Sequence, residues 1–329
     1  MYSDIQKTIE KATSIVVIQA ENPDGDSLGS ALALEEILGD LGKQVSLYCP
    51  VDIPKYLRYF PGWDRVTSDF PTGSDLAIIV DTSADVLLSK VLSTPGVRHY
   101  LETHPVVVID HHTTASSLSF DVIELFEDAA ATSEIIYRQA EASDWKISPQ
   151  AAEHLLGSLL SDTLGLSTSS VSPASYQIAS KLTELGAHVS TIESRRREFM
   201  KKPADILLYK ARLIERIEYF LDGQLGLINI PFDEIEAYSD KYNPTMLVMD
   251  EIRLVEGVEI AIGIKTYPDG KLTGKIRSNL PIAEQVAGFF GGGGHAYASG
   301  FRVYDSYDTV LAELLTAVDK ALKDYHEAA

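Results

Sequence analysis

The chain has 329 residues, of which 45% are hydrophobic, and its formal net charge is −20 at pH 7. This length suits two domains with a sizeable core in each. The acidic charge argues against extended coating of DNA or RNA, because an acidic surface repels a polyanion at long range. Cys49 is the only cysteine, which excludes an intrachain disulfide and a cysteine zinc cluster. The sequence shows neither a signal core nor an apolar run long enough to span a membrane, so we expect a cytoplasmic protein.

Short β-rich runs alternate with helical patterns in the first half of the chain. The predicted strands are residues 15–18, 45–49, 76–80 and 106–109. Ser27 is predicted to cap a helix over residues 28–41, and Ser148-Pro149 is predicted to open a helix that runs to Asp162. Strands that alternate with helices predict an α/β fold with a mostly parallel, doubly wound sheet.

The pattern changes after Gly186. A charged helical stretch that includes Arg195, Arg196 and Arg197 follows, and we predict that residues 187–216 form a helical linker. This places a first domain at residues 1–186 and a second, smaller α/β domain at residues 217–329. The second domain is predicted to contain strands at 226–230, 259–264 and 272–277 and helices at 283–290 and 309–325.

Carboxylates and histidines follow the apolar runs of the first domain. They are Asp24, Asp26, Asp81, Asp110, His111, His112 and Asp162. Ligands of parallel sheets bind beyond the carboxyl ends of the strands, so we expect several of these side chains to meet there. Hard cations such as Mn²⁺ and Mg²⁺ take carboxylates, and Mn²⁺ also accepts imidazole. The pattern predicts a divalent-metal centre that prefers Mn²⁺, in which two cations could share Asp81 and activate a water for attack on a phosphoryl group.

The second domain contains a glycine run, residues 291–294, followed by His295. Main-chain N–H groups of glycine can approach an anion closely, and His295 could add a donor. Arg277, at the end of a predicted strand, could bind a phosphate through two nitrogens. A glycine run taken alone is more often a flexible turn, so this prediction depends on its context.

These motifs occur in the order of a known family. Asn22-Pro23-Asp24-Gly25-Asp26 with Gly29-Ser30, Asp81-Thr82, Asp110-His111-His112 and Asp162-Thr163 resemble the motifs of the DHH phosphoesterases. Arg277-Ser278 and the later segment GGGGHAYASG resemble the DHHA1 substrate-binding domain found in one branch of that family. The overall resemblance is to the RecJ-like group of nanoRNases and 3′-phosphoadenosine 5′-phosphate phosphatases. It implies that residues 1–186 are the catalytic domain and residues 217–329 the DHHA1 domain.

The resemblance implies a role for each motif residue. One metal ion would be bound by Asp26, Asp81, His111 and Asp162, and a second would lie around Asp24 and Asp81. His112 would be catalytic, contacting the scissile phosphate or assisting the leaving oxygen, with Asp110 supporting it from behind. The implied substrate-binding residues are Ser30, Arg277, Gly292, Gly293, Gly294 and His295.

Position 20 departs from the family pattern. Members place a metal-binding histidine four residues before the first aspartate of the Pro-Asp-Gly-Asp motif, and this chain has Ala20 there. Alanine cannot bind a metal, and the adjacent Glu21 would point to the opposite face of a strand. We therefore predict one tight metal site and a weakened second site.

The resemblance implies a metal-dependent phosphoesterase that hydrolyses short oligonucleotides or 3′-phosphoadenosine 5′-phosphate with a metal-activated water and releases nucleoside monophosphates. The acidic surface agrees with a short single-stranded oligonucleotide or a mononucleotide as substrate. We expect neither an extended nucleic-acid duplex nor a membrane as a partner. We expect the chain to be a monomer or a homodimer. One alternative is a phosphodiesterase for cyclic or linear dinucleotides. A second, which Ala20 motivates, is a nucleotide-binding regulator with weakened catalysis.

Overall fold

The computed structural model describes residues 2–112, 116–239 and 242–328. The chain divides into two compact units, Met1–Lys201 and Lys202–Ala329. The segment predicted to be a linker contains two helices, Val189–Phe199 in the first unit and Ala204–Ile214 in the second. Across the described residues, no helix is long and apolar enough to cross a membrane.

A five-stranded parallel sheet forms the centre of the first unit. Its strands are β1 (Ser14–Ile18), β2 (Gln44–Tyr48), β3 (Leu76–Val80), β4 (Val106–Asp110) and β5 (Ile123–Phe126). Their order across the sheet is β2-β1-β3-β4-β5, and every neighbouring pair is parallel. The central strands β3 and β4 consist almost entirely of Ile, Val, Leu and Ala, as expected where both faces of a sheet are buried.

Helices cover both faces of this sheet. They are α1 (Tyr2–Lys11), α2 (Gly25–Asp40), α3 (Ser89–Ser93), α4 (Val97–Thr103), α5 (Thr132–Ala142), α6 (Pro149–Asp162), α7 (Pro173–Glu184) and α8 (Val189–Phe199). The side chains of β1 alternate between two cores: Ile15 and Val17 pack with α1, α2, α5 and α6, whereas Val16 and Ile18 pack with α3 and α4. The predicted fold class, an α/β fold with a doubly wound parallel sheet, is confirmed.

Two glycines allow α2 and α6 to pack closely. A Cβ atom at Gly29 would lie 2.7 Å from the Cβ of Ser158, and one at Gly25 would lie 2.0 Å from the Oγ of Ser161. Since residues four apart share one face of a helix, these glycines give α2 a smooth surface against α6. The close approach brings the first turn of α2, which carries Asp26, next to the end of α6, which carries Asp162.

The second unit contains a mixed sheet of six strands. They are β6 (Glu218–Phe220), β7 (Leu225–Ile230), β8 (Ile260–Thr266), β9 (Lys271–Ser278), β10 (Gly293–His295) and β11 (Ala298–Tyr304). Their order is β10-β11-β9-β8-β7-β6, in which only β7 and β8 pair in parallel. The helices of this unit are α9 (Ala204–Ile214), α10 (Phe232–Tyr238), α11 (Met249–Arg253), α12 (Ala283–Phe289) and α13 (Tyr307–Ala328).

Candidate metal centre and anion cavity

The carboxyl edge of the parallel sheet gathers the predicted metal ligands. Asp81 directly follows β3, and Asp110 is the last residue of β4, so His111 and His112 emerge from the same edge. Asp26 lies in the first turn of α2, which follows β1, and Asp162 ends α6. Four separate elements therefore contribute side chains to one place, as the order of the parallel strands requires.

His111 lies at the centre of this cluster. Its Nε2 atom is 3.7 Å from Oδ2 of Asp26, 3.6 Å from Oδ1 of Asp81 and 3.7 Å from Oδ2 of Asp162. Two ligands held at about 2.1 Å from one cation are separated by about 3.0–3.6 Å for angles of 90–120°. The three spacings are therefore close to those of a set of donors that surround a single cation.

Asp26 is held by hydrogen bonds inside the protein. Its carboxylate is buried and accepts from the hydroxyls of Ser30, at 3.2 Å, and Ser158, and from the main-chain N–H of Thr132 at 2.7 Å. Ser30, predicted to bind substrate, is fully buried, so its hydroxyl supports Asp26 and has no surface exposed to a substrate. Ser158 and Thr132 did not stand out in the sequence, because isolated hydroxyl residues carry no recognisable signal.

The carboxylates of this cluster are electrostatically crowded. Burial raises the pKa of Asp81 well above its usual value, and the charges of Asp26 and Asp24 raise it further. Burial and the charge of Asp26 raise the pKa of Asp162 to about 6. A group of acids whose ionised forms repel one another is the environment that a bound divalent cation relieves, so the charge pattern fits the donor set.

Asp110 and His112 form a separate pair. Oδ1 of Asp110 lies 2.7 Å from Nδ1 of His112, and this hydrogen bond raises the pKa of His112. Burial alone would raise the pKa of Asp110, but hydrogen bonds from His112 and Ser83 prevail and lower it. Nδ1 of His112 also lies 3.9 Å from Oδ1 of Asp81. Among the described residues, two groups could hold a metal ion: Asp26, His111 and Asp162 form one, and Asp81, His111 and His112 form the other.

Asp24, predicted as a second-site ligand, is the N-terminal cap of α2. Its carboxylate accepts from the N–H of Ser27 at 2.9 Å, and the hydroxyl of Ser27 accepts from the N–H of Asp24 at 3.0 Å. The cap predicted at Ser27 is therefore wrong by three residues, since the helix begins at Gly25 and the two residues form a reciprocal capping box. Asp24 belongs to neither ligand group found among the described residues.

Ala20 and Glu21 contribute no ligand to either group. Ala20 is buried, and Oε2 of Glu21 accepts hydrogen bonds from the hydroxyl of Ser89 and the N–H of Lys90, both at 2.7 Å. Glu21 therefore caps the start of α3. Within the described part of the chain, its carboxylate is not a member of the groups around His111.

A cavity of about 750 Å³ lies in the second unit and is rich in cations. Its lining includes the predicted substrate-binding residues Arg277, Gly292, Gly293 and Gly294. The side chain of His295, which is also predicted to bind substrate, lies outside what the structure describes. Lys265, Lys275 and Arg302 also line the cavity, and none of its described lining residues is a carboxylate. Partial desolvation lowers the pKa of Lys265 and of Lys275, and the nearby charge of Lys275 lowers that of Lys265 further, as the charge of Arg277 does for Lys275.

The register of the strands explains the shape of this cavity. On one face of the sheet Lys275 pairs with Gly263 on β8 and with Gly300 on β11, so it has no side chain on either side. The glycine run is not a loop: Gly293 and Gly294 belong to β10, which pairs with β11. A Cβ at Gly294, where φ is +145°, would lie 2.6 Å from the carbonyl oxygen of Ala298. The glycines therefore allow a tight hairpin beside the cationic cavity.

Comparison with known proteins agrees with this arrangement. Residues 14–161 match the DHH family, N-terminal domain. This chain carries a DHH-family domain. The match covers the two aspartates of the first motif, Asp81 and the Asp110-His111-His112 motif, and it ends one residue before Asp162. The DHH domain thus contains nearly all of the candidate metal centre.

Relatives match both the DHH domain and the second unit. A bifunctional oligoribonuclease and PAP phosphatase, NrnA, from Thermus thermophilus is 24% identical to this chain and is aligned over 98% of it and 94% of the relative. The crystal structure of an exopolyphosphatase-related protein from Bacteroides fragilis superposes with a TM-score of 0.81 at 22% identity, covering 98% of this chain and 96% of that one. RecJ in complex with Mn²⁺ from Thermus thermophilus superposes with a TM-score of 0.55 at 15% identity, covering 98% of this chain and 54% of RecJ. At these identities the two structures show a shared fold.

Proposed function

We propose that this protein is a metal-dependent phosphoesterase that hydrolyses short 5′-phosphorylated oligonucleotides and 3′-phosphoadenosine 5′-phosphate to nucleoside monophosphates. The observation that carries the proposal is the position of His111 Nε2, within 3.7 Å of carboxylate oxygens of Asp26, Asp81 and Asp162. The name of the NrnA relative, which is aligned over nearly the whole chain, supports the same substrate class.

The donor set suits Mn²⁺. Asp26, Asp81, His111 and Asp162 would hold the tight ion, and Asp24 and Asp81 would hold a second, weaker one. Carboxylates and imidazole together fit Mn²⁺ better than Mg²⁺, and RecJ, which shares the fold, has been crystallised with Mn²⁺. A bound divalent cation lowers the pKa of water and stabilises the charge that develops on a phosphoryl group.

The side chains of this chain have distinct tasks in the proposed reaction. His112, whose pKa is raised by its 2.7 Å hydrogen bond to Asp110, would donate a proton to the scissile phosphate or to the leaving oxygen. Asp110 is a positioning residue, because it acts through His112. In the second unit, Arg277 and Lys275 bind the phosphate groups of the substrate, and the glycines of β10 permit close approach of the ligand.

The cationic cavity also limits the substrate. Positive charge is concentrated in a space of about 750 Å³ on a chain whose net charge is −20. A short anion can satisfy these cations locally, whereas a long polyanion would meet repulsion from the remaining surface. The charge distribution therefore favours a mononucleotide or a very short oligonucleotide.

The activity is tested with purified full-length protein, Mn²⁺ and a 5′-labelled diadenylate. We expect catalytic release of AMP, and parallel reactions with a cyclic dinucleotide and with 3′-phosphoadenosine 5′-phosphate rank the substrates. Excess EDTA should abolish turnover. Full activity in EDTA would contradict the metal mechanism.

A nucleotide-binding regulator is the second candidate, and Ala20 is the observation that favours it. The missing ligand at position 20 removes an imidazole from the weaker site, and Glu21 is engaged by Ser89 and Lys90. The same assay separates the two functions. A regulator would bind the labelled dinucleotide stoichiometrically without releasing AMP over many turnovers.

A further inference from the structure

The N-terminus of α5 is capped by a distant carboxylate. Ala131, which precedes the helix, has extended backbone and a methyl side chain that cannot accept a hydrogen bond. The first free N–H groups of the helix donate instead to Asp26, that of Thr132 to Oδ2 at 2.7 Å and that of Ser133 to Oδ1 at 3.4 Å. Asp26 therefore performs the capping role that Ala131 cannot.

The side chain of Thr132 makes a second contact at the same place. Its hydroxyl lies 3.1 Å from Oδ1 of Asp81 and donates to it, and the residue is fully buried. Oδ2 of Asp26 and Oδ1 of Asp81 are also the atoms that lie 3.7 Å and 3.6 Å from Nε2 of His111. One residue thus contacts two of the three carboxylate oxygens that face the imidazole.

We propose that Thr132 is a positioning residue that fixes the separation and direction of the Asp26 and Asp81 oxygens for a divalent cation. A carboxylate oxygen has two lone-pair directions, so a donor on one side leaves the other side for a metal. Hydrogen bonds from groups behind the ligands commonly orient them, and their loss weakens metal binding about 10–100-fold. Because both bonds come from Thr132 in the first turn of α5, the two oxygens are held relative to each other before an ion binds.

This role can be separated from a purely structural one. Thr132→Val keeps the main-chain N–H that donates to Asp26, and hence the cap of α5, and it preserves the shape of the side chain. It removes only the hydroxyl that donates to Asp81. Thr132→Ser retains that hydroxyl and serves as the matched control.

The inference rests on the proposed metal-binding function, and the test is a calorimetric titration of Mn²⁺ into the full-length parent and both variants. We expect Thr132→Val to raise the dissociation constant of the tight site about 10–100-fold, and Thr132→Ser to keep a dissociation constant near that of the parent. Thermal unfolding in EDTA reports the integrity of the fold separately, and a misfolded fraction would lower the stoichiometry rather than the affinity. If the valine variant does not fold, Thr132→Ala, which relieves any crowding by the second methyl group, is titrated in its place.

Two results would overturn this inference alone. Parent-like Mn²⁺ affinity in the valine variant would show that the hydroxyl positions nothing, while leaving the proposed function intact. Equal weakening in the serine variant would show that the methyl group and not the hydroxyl matters. Failure of the parent protein itself to bind Mn²⁺ would instead remove the proposed metal centre, and this inference with it.

Discussion

His111 donates its Nδ1–H to the main-chain carbonyl of Ala129 across 3.1 Å. A carbonyl oxygen can only accept, so Nδ1 carries a proton, and in the neutral ring the lone pair is on Nε2. That lone pair faces the carboxylates of Asp26, Asp81 and Asp162. The hydrogen bond therefore prepares the imidazole to bind a cation.

Asp81 should be indispensable to the metal site. Its backbone has φ of +63°, a left-handed conformation that asparagine tolerates well, so Asp81→Asn removes the charge with little backbone strain. We expect this variant to lose measurable Mn²⁺ binding in calorimetry and hydrolysis of the diadenylate. Asp52→Asn, at an exposed position outside both ligand groups, is the matched control and should behave as the parent. Parent-like binding in the Asp81 variant would remove this residue from the site.

Lys275 should contribute to substrate capture. It stands between two glycine positions in the cationic cavity, so Lys275→Met removes a charge while keeping much of the side-chain volume. A hydrogen bond to a charged group contributes about 1.5–3 kcal/mol, so KM should rise about 10–100-fold while Mn²⁺ affinity stays unchanged. Lys323→Met, on the exposed face of α13, controls for the lost net charge. An unchanged KM in the Lys275 variant would exclude this side chain from substrate binding.

The position of the candidate metal ligands along the chain is largely predictable. A buried parallel strand needs a continuous apolar run, and the residues that follow such runs must meet at one edge of the sheet, which is why Asp81 and His111 could be paired from sequence alone. The DHH domain and the fold class predicted from these motifs are confirmed. The individual roles assigned to these residues stay predictions.

Features that depend on tertiary contacts could not be predicted. Thr132 contacts Asp26 from 106 positions away, and no local pattern marks it. In the sequence, Lys265 and Lys275 have the pattern of solvent-exposed strand residues. Only the strand register shows that a glycine of β8 lies beside Lys275. The strand β5 was not predicted because its sequence is short and contains a charged residue. The hairpin of β10 and β11 was not predicted because its sequence is rich in glycine.

Ala20→His should strengthen the second metal site. The buried alanine provides no ligand at a position where a histidine would add an imidazole, and softer nitrogen donors favour Mn²⁺ over Mg²⁺. Calorimetry should show closer to one tight ion per chain in the parent and closer to two in the variant. Two equally tight sites in the parent would show that another residue already supplies the missing ligand.

His154 should make the first unit less stable in acid. Burial, together with the nearby charges of Arg65 and Arg195, lowers the pKa of its ring to about 3. The unfolded chain takes up this proton near pH 6.5 and the folded chain does not, so stability is lost as the pH falls from about 6.5 towards 3. By pH 5 the loss from this residue should reach about 2 kcal/mol.

Replacing the ring tests this dependence. In His154→Gln the side chain cannot titrate, so the free energy of unfolding should fall less between pH 7.5 and pH 5 than it does in the parent. Urea unfolding at both pH values measures the difference, and comparing the two slopes cancels the titration of other groups such as Asp162. An identical pH dependence in both proteins would show that His154 is protonated in the folded state.

The most direct test of the central claim is anomalous diffraction from crystals of the protein grown with Mn²⁺. We expect an anomalous peak within about 2–2.5 Å of Nε2 of His111 and of carboxylate oxygens from Asp26, Asp81 and Asp162. The absence of a peak at this position at saturating Mn²⁺ would contradict the assignment of these four residues as the metal centre.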